Sequence, residues 1–189
     1  MRKKYGIGER PYILSVGTVQ PRKNYVRLIQ VLAHLRTQGY DISLVISGGH
    51  GWLEDPIYET IRVTNMQDFV HMIGFADDED LPALYSGAEC LAFPSLYEGF
   101  GLPVLEAMAC HTPVLTSNIS SLPEVAGDAA LMVDPTDHKA IAHGLQKLLD
   151  DRTLRENLIK KGVERARQFT WERSARELRA IYTGLLSPP

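Results

Sequence analysis

The chain has 189 residues, 44% of them hydrophobic and 23% charged, which suits one globular domain with a sizeable core. Its net charge of −3 lacks a basic footprint, so nucleic acid is not expected as a partner. No run approaches the ~18 apolar residues of a membrane span, and no apolar segment follows the basic N-terminus as in a signal peptide. Cys90 and Cys110 are expected to be buried, reduced thiols of a cytoplasmic protein.

The apolar pattern predicts strands that alternate with helices. After a polar, glycine-containing stretch over 1–11, which resembles an interdomain linker, the predicted strands cover 12–17, 42–47, 69–73, 90–93, 114–116 and 130–133. Helices are predicted between them, the first with Asn24 as its N-cap and ending at Gly39, and a later one capped by Asp137. The remaining helical segments cover about 54–66, 81–86, 103–109, the turn in "SSLPEVAG", 154–167 and the chain from Thr170 onward.

This alternation predicts the fold class. Strands separated by helices of this length pair in parallel through right-handed crossovers. The strands are mostly apolar rather than alternating, as expected when helices cover both faces of a sheet. The prediction is an α/β, Rossmann-like, doubly wound parallel sheet of about six strands over 12–168, with a C-terminal helix over 169–189. Ligands of such sheets bind beyond the carboxyl ends of the strands, so the site is expected in the loops there.

The loop after the first strand reads "GTVQPRKN". Gly17 allows a close backbone approach, and Arg22 and Lys23 bring two cations to a helix N-terminus that already carries partial positive charge. These features together predict an anion site, for which a diphosphate is the natural ligand. The alternative is a solvated basic loop.

The loops after the second and third strands contribute further candidate residues. Ser47 and Gly48 in "SGGHGW" let a ligand approach the backbone, while His50 either reaches that ligand or is simply solvated. Gly74 offers backbone groups, and Phe75 offers an aromatic face that suits a nucleobase; the alternative for Phe75 is a place in the core.

Four consecutive acids over 77–80 resemble a metal-binding cluster. Acidic residues, however, also collect at the first turn of helices because they complement the helix dipole. No metal site is therefore expected there.

The loop after the fourth strand begins "PSLYEGFGLPVLEAMA" and contains Glu98, followed by Glu106 near the first turn of the next helix. Ionised carboxylates only accept hydrogen bonds, so they suit the hydroxyls of a sugar and would repel a phosphate. Backbone amides that precede the helix point into the same space, namely those of Gly99, Phe100, Gly101 and Leu102. Cations for a diphosphate and carboxylates for diols together predict a nucleotide-sugar site. Metal-bridging carboxylates are a weaker alternative, because Arg22 and Lys23 already supply positive charge.

These segments resemble a known family. "EGFGLPVLE" resembles the E-x7-E motif of retaining glycosyltransferases of family 4, "ILSVGTVQPRKN" looks like their phosphate-binding loop, and "SNISSLPEVAGDAALMVDP" is similar to the stretch that follows. The likeness runs in order over nearly the whole chain. It implies a GT-B fold, in which two Rossmann-like domains face each other across a cleft, with this chain as the C-terminal, donor-binding domain.

The resemblance also implies roles for individual residues. Glu106 would bind the ribose hydroxyls, Glu98 the hydroxyls of the transferred hexose, Arg22 and Lys23 the diphosphate, and the backbone near Phe75 the base. The donor would be a UDP- or GDP-linked sugar, transferred with retention and without a metal or other cofactor. Removing Arg22 would lose at least one charge-assisted hydrogen bond to the diphosphate. That loss would weaken stabilisation of the leaving group by about 1.5–3 kcal/mol, which is a factor of roughly 10 to 150. Many relatives have an arginine directly after the glycine of the first strand, where this chain has Thr18, so Lys23 is assigned more firmly than Arg22.

The resemblance further implies partners. An acceptor-binding domain is expected before this one. If the whole protein is a peripheral membrane protein, that domain would attach it to the inner membrane. The last helix is expected to reach back to the acceptor-binding domain. Without that domain the chain would bind nucleotide but not transfer sugar, and the apolar face of the helix would promote self-association. The alternatives are a nucleotide-binding module without a transferase partner and a GT-B phosphorylase or epimerase. Hydride transfer is disfavoured because no G-x-G-x-x-G follows any strand.

Overall fold

The computed structural model describes residues 1–186, and over this range strands and helices alternate as predicted. The strands are β1 (Tyr12–Val16), β2 (Ser43–Ser47), β3 (Val70–Gly74), β4 (Cys90–Phe93), β5 (Val114–Ser117) and β6 (Leu131–Val133). The helices are α1 (Tyr25–Thr37), α2 (Asp55–Val63), α3 (Leu81–Ser86), α4 (Leu102–Ala109), α5 (Leu122–Ala126), α6 (His138–Asp150), α7 (Arg152–Ala166) and α8 (Trp171–Leu186). A 3₁₀ turn (Pro21–Lys23) precedes α1.

All six strands form one parallel sheet in the order β3-β2-β1-β4-β5-β6, which confirms the predicted fold class. The chain winds outward from β1 through β2 to β3, then returns to place β4 on the other side of β1. The strand order therefore reverses between β1 and β4. In open parallel sheets this reversal opens a crevice at the carboxyl ends of the two strands, where ligands bind.

The sheet has a hydrophobic core on each face, because successive strand residues point to opposite sides. Ile13 packs into the core formed with α1, α2 and α6, whereas Leu14 packs into the core formed with α3, α4 and α5. Leu44 and Val45 on β2 divide in the same way. Burial on both faces explains why the strands are continuously apolar.

The two predicted helix caps have different outcomes. Asp137 caps α6 as expected, since its carboxylate accepts from the amides of Lys139 (2.8 Å) and Ala140 (3.1 Å). Asn24 does precede α1, but the prediction that its side chain caps the helix is wrong. Its amide donates instead to the carbonyls of Pro94 (2.9 Å) and Pro135 (2.8 Å), and so ties the loops after β4 and β6 to the start of α1.

The N-terminal stretch that the sequence pattern interprets as a linker is folded onto α3. Ile7 is buried in the core with α3 and α4. Lys4 forms ion pairs with Asp77 (2.6 Å) and Asp80, two of the four consecutive acids. The domain boundaries drawn from the sequence stay a prediction.

The two cysteines are free thiols, and they differ in burial. Cys90 lies fully within the core, and this burial raises the pKa of its thiol to about 12. The expectation that Cys110 is also buried is wrong, because it lies at the C-terminal end of α4 and is partly exposed. Over residues 1–186, no helix combines the length and apolarity that crossing a bilayer would require.

Candidate functional site

The loops after β1 and β4 meet at the point where the strand order reverses. The backbone amide of Leu96 donates to the carbonyl of Arg22 (2.9 Å), and the Arg22 guanidinium donates to the carbonyl of Tyr97 (2.5 Å). Since β1 and β4 are neighbours in the sheet, residues far apart in the sequence are brought together at this edge. The crevice that the fold class predicts is thus lined by the basic loop and by the loop that carries Glu98.

Three charged side chains converge there, and we call them the ion triad: Arg22, Lys23 and Glu98. The Lys23 Nζ lies 2.7 Å from Glu98 Oε1, and the Arg22 Nη1 lies 2.6 Å from Glu98 Oε2. Both Lys23 and Glu98 are 8% exposed. The predicted convergence of the two cations with the first of the two spaced acids is therefore present in the structure.

The electrostatics of the ion triad keep Glu98 ionised. Burial of the Glu98 carboxyl acts to raise its pKa, but hydrogen bonds from Lys23 and Arg22 outweigh this and hold the pKa below its usual value. The ion triad therefore carries a net charge of +1. Each carboxylate oxygen already accepts from one cation and retains a second acceptor site.

Two glycines are explained by the packing of this corner. Gly17 has φ +145°, and a Cβ there would lie 2.6 Å from Lys23 Cε, so a side chain at this position would displace the lysine. A Cβ on Gly48 would lie 2.0 Å from the carbonyl oxygen of Gly17. The position of Lys23 thus requires Gly17, and the close contact between the loops after β1 and β2 requires Gly48, whatever ligand binds above them. The Lys23 Nζ also lies 4.7 Å from the ring centroid of Phe93, which adds a cation–π contact.

The loops after β2 and β3 extend this edge of the sheet. The Ser47 hydroxyl is buried and donates to the carbonyl of Gly74 (3.3 Å). Phe75 is 81% exposed, so its alternative interpretation as a core residue is wrong. His50 is also exposed, and its ring lies 3.1 Å from the Glu54 carboxylate. An aromatic face is thus available at the edge, but its role as a nucleobase contact stays a prediction.

The loop between β4 and α4 is held in place by the start of α5. The Ser121 hydroxyl contacts the carbonyls of both Glu98 (2.9 Å) and Phe100 (2.7 Å). Gly101 precedes α4 with φ +114°, a conformation that favours glycine. At the start of α4, Pro103 has no N–H and the amide of Val104 donates to the carbonyl of Gly101 (3.0 Å), so the amide of Leu102 is the one available to a ligand. It adds a donor of the kind expected at an anion site.

Glu106 lies one turn into α4 and is exposed, as a ligand-binding carboxylate must be. Its Oε2 accepts a hydrogen bond from the hydroxyl of Tyr85 (2.6 Å). Within residues 1–186, neither Arg22 nor Lys23 pairs with Glu106, so the structure joins only Glu98 to the cations. Sequence reasoning missed Tyr85, because an apolar helix with one tyrosine gives no signal that the hydroxyl meets an acid on the following helix.

Glu106 also borders a groove of ≈ 260 Å³ between α4 and the start of α8. The walls are mostly apolar and include Phe100, Leu102, Phe169 and Trp171. Phe100 and Phe169 meet edge to face, with ring centroids 5.9 Å apart. The second acid of the motif thus lies where an apolar surface meets the loop that carries Glu98.

The chemistry of the site combines donors with acceptors. Arg22, Lys23 and the Leu102 amide can donate to an anion, while Glu98 and Glu106 can accept hydrogen bonds from hydroxyl groups. Across the 186 described residues, no three His, Cys, Asp or Glu side chains are grouped so that they could hold a metal ion.

Comparisons with known proteins identify the family of this chain. The family model described as glycosyl transferases group 1 matches residues 1–165. The O-antigen chain mannosyltransferase B of Escherichia coli is 44% identical over 173 residues, which cover 90% of this chain and 45% of that protein. A D-inositol 3-phosphate glycosyltransferase of Salinispora tropica is 34% identical over 192 residues, covering 96% of this chain and 40% of that protein.

Solved structures show the same architecture. Sucrose-phosphate synthase from Thermosynechococcus elongatus superposes with a TM-score of 0.82 at 31% identity, over 97% of this chain and 48% of that one. Anabaena HepE, solved in complex with UDP and glucose, superposes with a TM-score of 0.83 over 98% of this chain and 51% of that one; at 20% identity it supports the fold alone. This chain spans about half the length of these proteins. It belongs to the glycosyl transferases group 1 family and has one Rossmann-like domain of the GT-B type.

Proposed function

We propose that this chain is the C-terminal, donor-binding half of a retaining hexosyltransferase of family 4, which uses a nucleoside diphosphate sugar. The observation that carries the proposal is the ion triad. It lies at the carboxyl ends of β1 and β4, where the strand order reverses, and both its cations face the loop that leads into α4. Ligand recognition in such folds is concentrated at this position.

The cations and the amide of Leu102 at the start of α4 would bind the diphosphate. During transfer the bond between the anomeric carbon and a diphosphate oxygen breaks, and negative charge builds on that oxygen. Arg22, Lys23 and the helix N-terminus are fixed donors that stabilise this charge without reorganising, so no metal is needed for it. Because Lys23 is nearly buried and wedged against Gly17, its ammonium group is held in place before the donor binds.

The acids would bind the hydroxyls of the donor. Glu98 retains acceptor sites for the hexose, and Glu106 has one carboxylate oxygen without a partner among the described residues, which suits the ribose. The exposed ring of Phe75 and the backbone at Gly74 would meet a uracil or guanine base.

The proposal also includes a second domain and a location in the cell. The relatives are about twice as long as this chain, which supports a second, acceptor-binding domain as partner. The whole protein would be cytoplasmic, and if it is a peripheral membrane protein, the acceptor-binding domain would attach it to the inner membrane.

The test is calorimetric titration of this chain with UDP, GDP and ADP and with their sugars. We expect UDP or GDP to bind more tightly than ADP, and we expect Glu106→Ala to weaken that nucleotide about tenfold or more, because it removes a charged acceptor. Glu164→Ala is the matched control, since Glu164 is an exposed acid on α7 that forms no hydrogen bond or ion pair with the ion triad or with Glu106. If no nucleotide binds while the protein remains folded, the donor-site proposal is wrong.

A further inference from the structure

Tyr85 is a buried residue whose hydroxyl contacts Glu106, the exposed acid of the proposed site. It lies on α3, is 1% exposed, and donates from its hydroxyl to Glu106 Oε2 over 2.6 Å. A neutral hydroxyl that donates to an ionised carboxylate forms a short and relatively strong hydrogen bond. The only part of Tyr85 that reaches Glu106 is this hydroxyl, whereas the ring packs in the core with α3 and α4.

The hydroxyl of Tyr85 can act only as a donor toward Glu106. Burial raises the pKa of Tyr85, and the neighbouring Glu106 carboxylate raises it further, far above the usual value. The phenol therefore stays protonated wherever the protein is folded near neutral pH. Among residues 1–186, Tyr85 makes the sole hydrogen bond to the Glu106 carboxylate, so Oε1 is left open.

Tyr85 is itself firmly held. Its backbone carbonyl accepts a buried hydrogen bond from the hydroxyl of Thr112 (2.8 Å), at the turn between α4 and β5. Its ring has two side-chain torsions, and the surrounding core restricts both. By contrast, a glutamate on the surface of a helix samples several rotamers, and a ligand that uses it must immobilise it. The hydrogen bond from Tyr85 pre-selects one of these rotamers.

Resting on the proposed function, we infer that Tyr85 is a positioning residue that fixes the Glu106 carboxylate so that Oε1 is presented to the vicinal hydroxyls of the ribose. Tyr85 does not touch the donor. With its rotamer fixed by the bond to Oε2, the carboxylate has both acceptor sites of Oε1 directed outward, so it can accept from the two hydroxyls of a ribose diol, which a sugar without the diol does not supply.

The test is Tyr85→Phe, which keeps the ring and removes the hydroxyl. Wild type and variant are titrated with UDP and GDP and with the corresponding 2′,3′-dideoxynucleoside diphosphates. We expect the variant to bind the ribonucleotide about 3- to 10-fold more weakly, as for loss of one hydrogen bond that orders a charged acceptor. Binding of the dideoxynucleotide should not change, because it makes no use of Glu106.

Tyr12→Phe is the matched control. Tyr12 is also fully buried, and its hydroxyl donates to the same helix, at the carbonyl of Leu84 (2.6 Å), but it does not touch Glu106. If the effect of Tyr85→Phe came merely from loosening α3, Tyr12→Phe would reproduce it. Equal loss in both variants, or equal loss of ribo- and dideoxynucleotide in Tyr85→Phe, would overturn the inference.

A double-mutant cycle with Glu106→Gln separates this inference from the proposed function. We expect Tyr85→Phe to have little further effect once the carboxylate is gone. A wild-type chain that binds no nucleotide refutes the proposed function, whereas nucleotide binding that is indifferent to Tyr85→Phe refutes only the role of Tyr85. If Tyr85→Phe does not fold, Glu106→Asp draws the carboxylate back from the hydroxyl and should show the same selective loss for the ribonucleotide.

Discussion

At the scale of residues, the ion triad determines how strongly substitutions at this site destabilise the protein. Lys23 and Glu98 are both nearly buried, so each charge depends on the other for its stability. Removing one partner leaves an uncompensated buried charge, which is more costly than losing an exposed ion pair. The contacts that we propose hold the cations ready for a diphosphate therefore also contribute to the stability of the unliganded fold.

This dependence predicts how stability changes with pH. The folded pKa of Glu98 lies below its value in the unfolded chain, so its contribution is present above about pH 5 and is lost as the pH falls through the folded pKa. We expect Glu98→Gln to destabilise the protein at pH 7, and the difference from wild type to shrink as the pH falls. Urea denaturation at a series of pH values measures both effects.

The matched control is Glu177→Gln, which removes an exposed carboxylate paired with Arg173 on α8. Surface pairs of this kind contribute little, so this variant should follow wild type at every pH. A difference between Glu98→Gln and wild type that stays constant from neutral to acid pH would contradict the linkage.

At the scale of elements, α8 differs from the other long helices because its described side chains are exposed. Its large apolar residues recur at helical spacing along one side, namely Trp171, Leu178, Ile181, Tyr182 and Leu185. Leu178 and Ile181 are 52% and 60% exposed. A contiguous apolar stripe of this kind favours association with another surface.

We therefore predict that the isolated chain self-associates through α8. Replacing both Leu178 and Ile181 with Gln should reduce this association and change the unfolding free energy by no more than about 0.5 kcal/mol, because both side chains are exposed. Sedimentation velocity over a range of concentrations measures the association. Arg176→Gln on the same helix is the control and should behave as wild type. A wild-type chain that stays monomeric at high concentration would show that the prediction is wrong.

The predicted elements match the described ones closely, because each has a strong local signal. The position of Asp137 before an amphipathic helix predicts a cap, and its carboxylate accepts from the first turn of α6. The helix expected over 54–66 ends earlier, at Val63, and the remaining residues form a turn closed by the bond from the Met66 amide to the Ile61 carbonyl. Helix ends depend on such local closures, which apolar spacing does not encode.

At the scale of the whole molecule, the proposed donor site would be one half of the arrangement that transfer requires. The described residues bring cations and a carboxylate together at one edge of the sheet, and we propose that these groups bind a diphosphate and sugar hydroxyls. We predict that this chain binds a nucleoside diphosphate sugar without transferring the hexose. A coupled assay for released UDP or GDP, with Glu98→Gln as the control for contaminating enzymes, measures transfer. Release that depends on Glu98 would contradict the prediction.

Local patterns along the chain are sufficient to predict the alternation of strands and helices, the parallel doubly wound sheet, and the charged loops at its carboxyl edge. It could do so because apolar periodicity, glycines and prolines act within a few residues of one another. The convergence of Arg22 and Lys23 with Glu98 can also be predicted from the sequence, since the topology places the ends of β1 and β4 side by side.

The atomic partners of these groups depend instead on the packing of distant elements. Arg22 and Glu98 are 76 positions apart, Tyr85 and Glu106 are 21 apart, and Asn24 reaches a carbonyl 111 positions away. Each of these contacts depends on how helices pack on the sheet and on how loops from different strands lie against each other. A hydrogen bond forms within a few tenths of an ångström and a limited range of angles. Local pattern places a side chain on an element, and packing between elements then selects the atom that it meets.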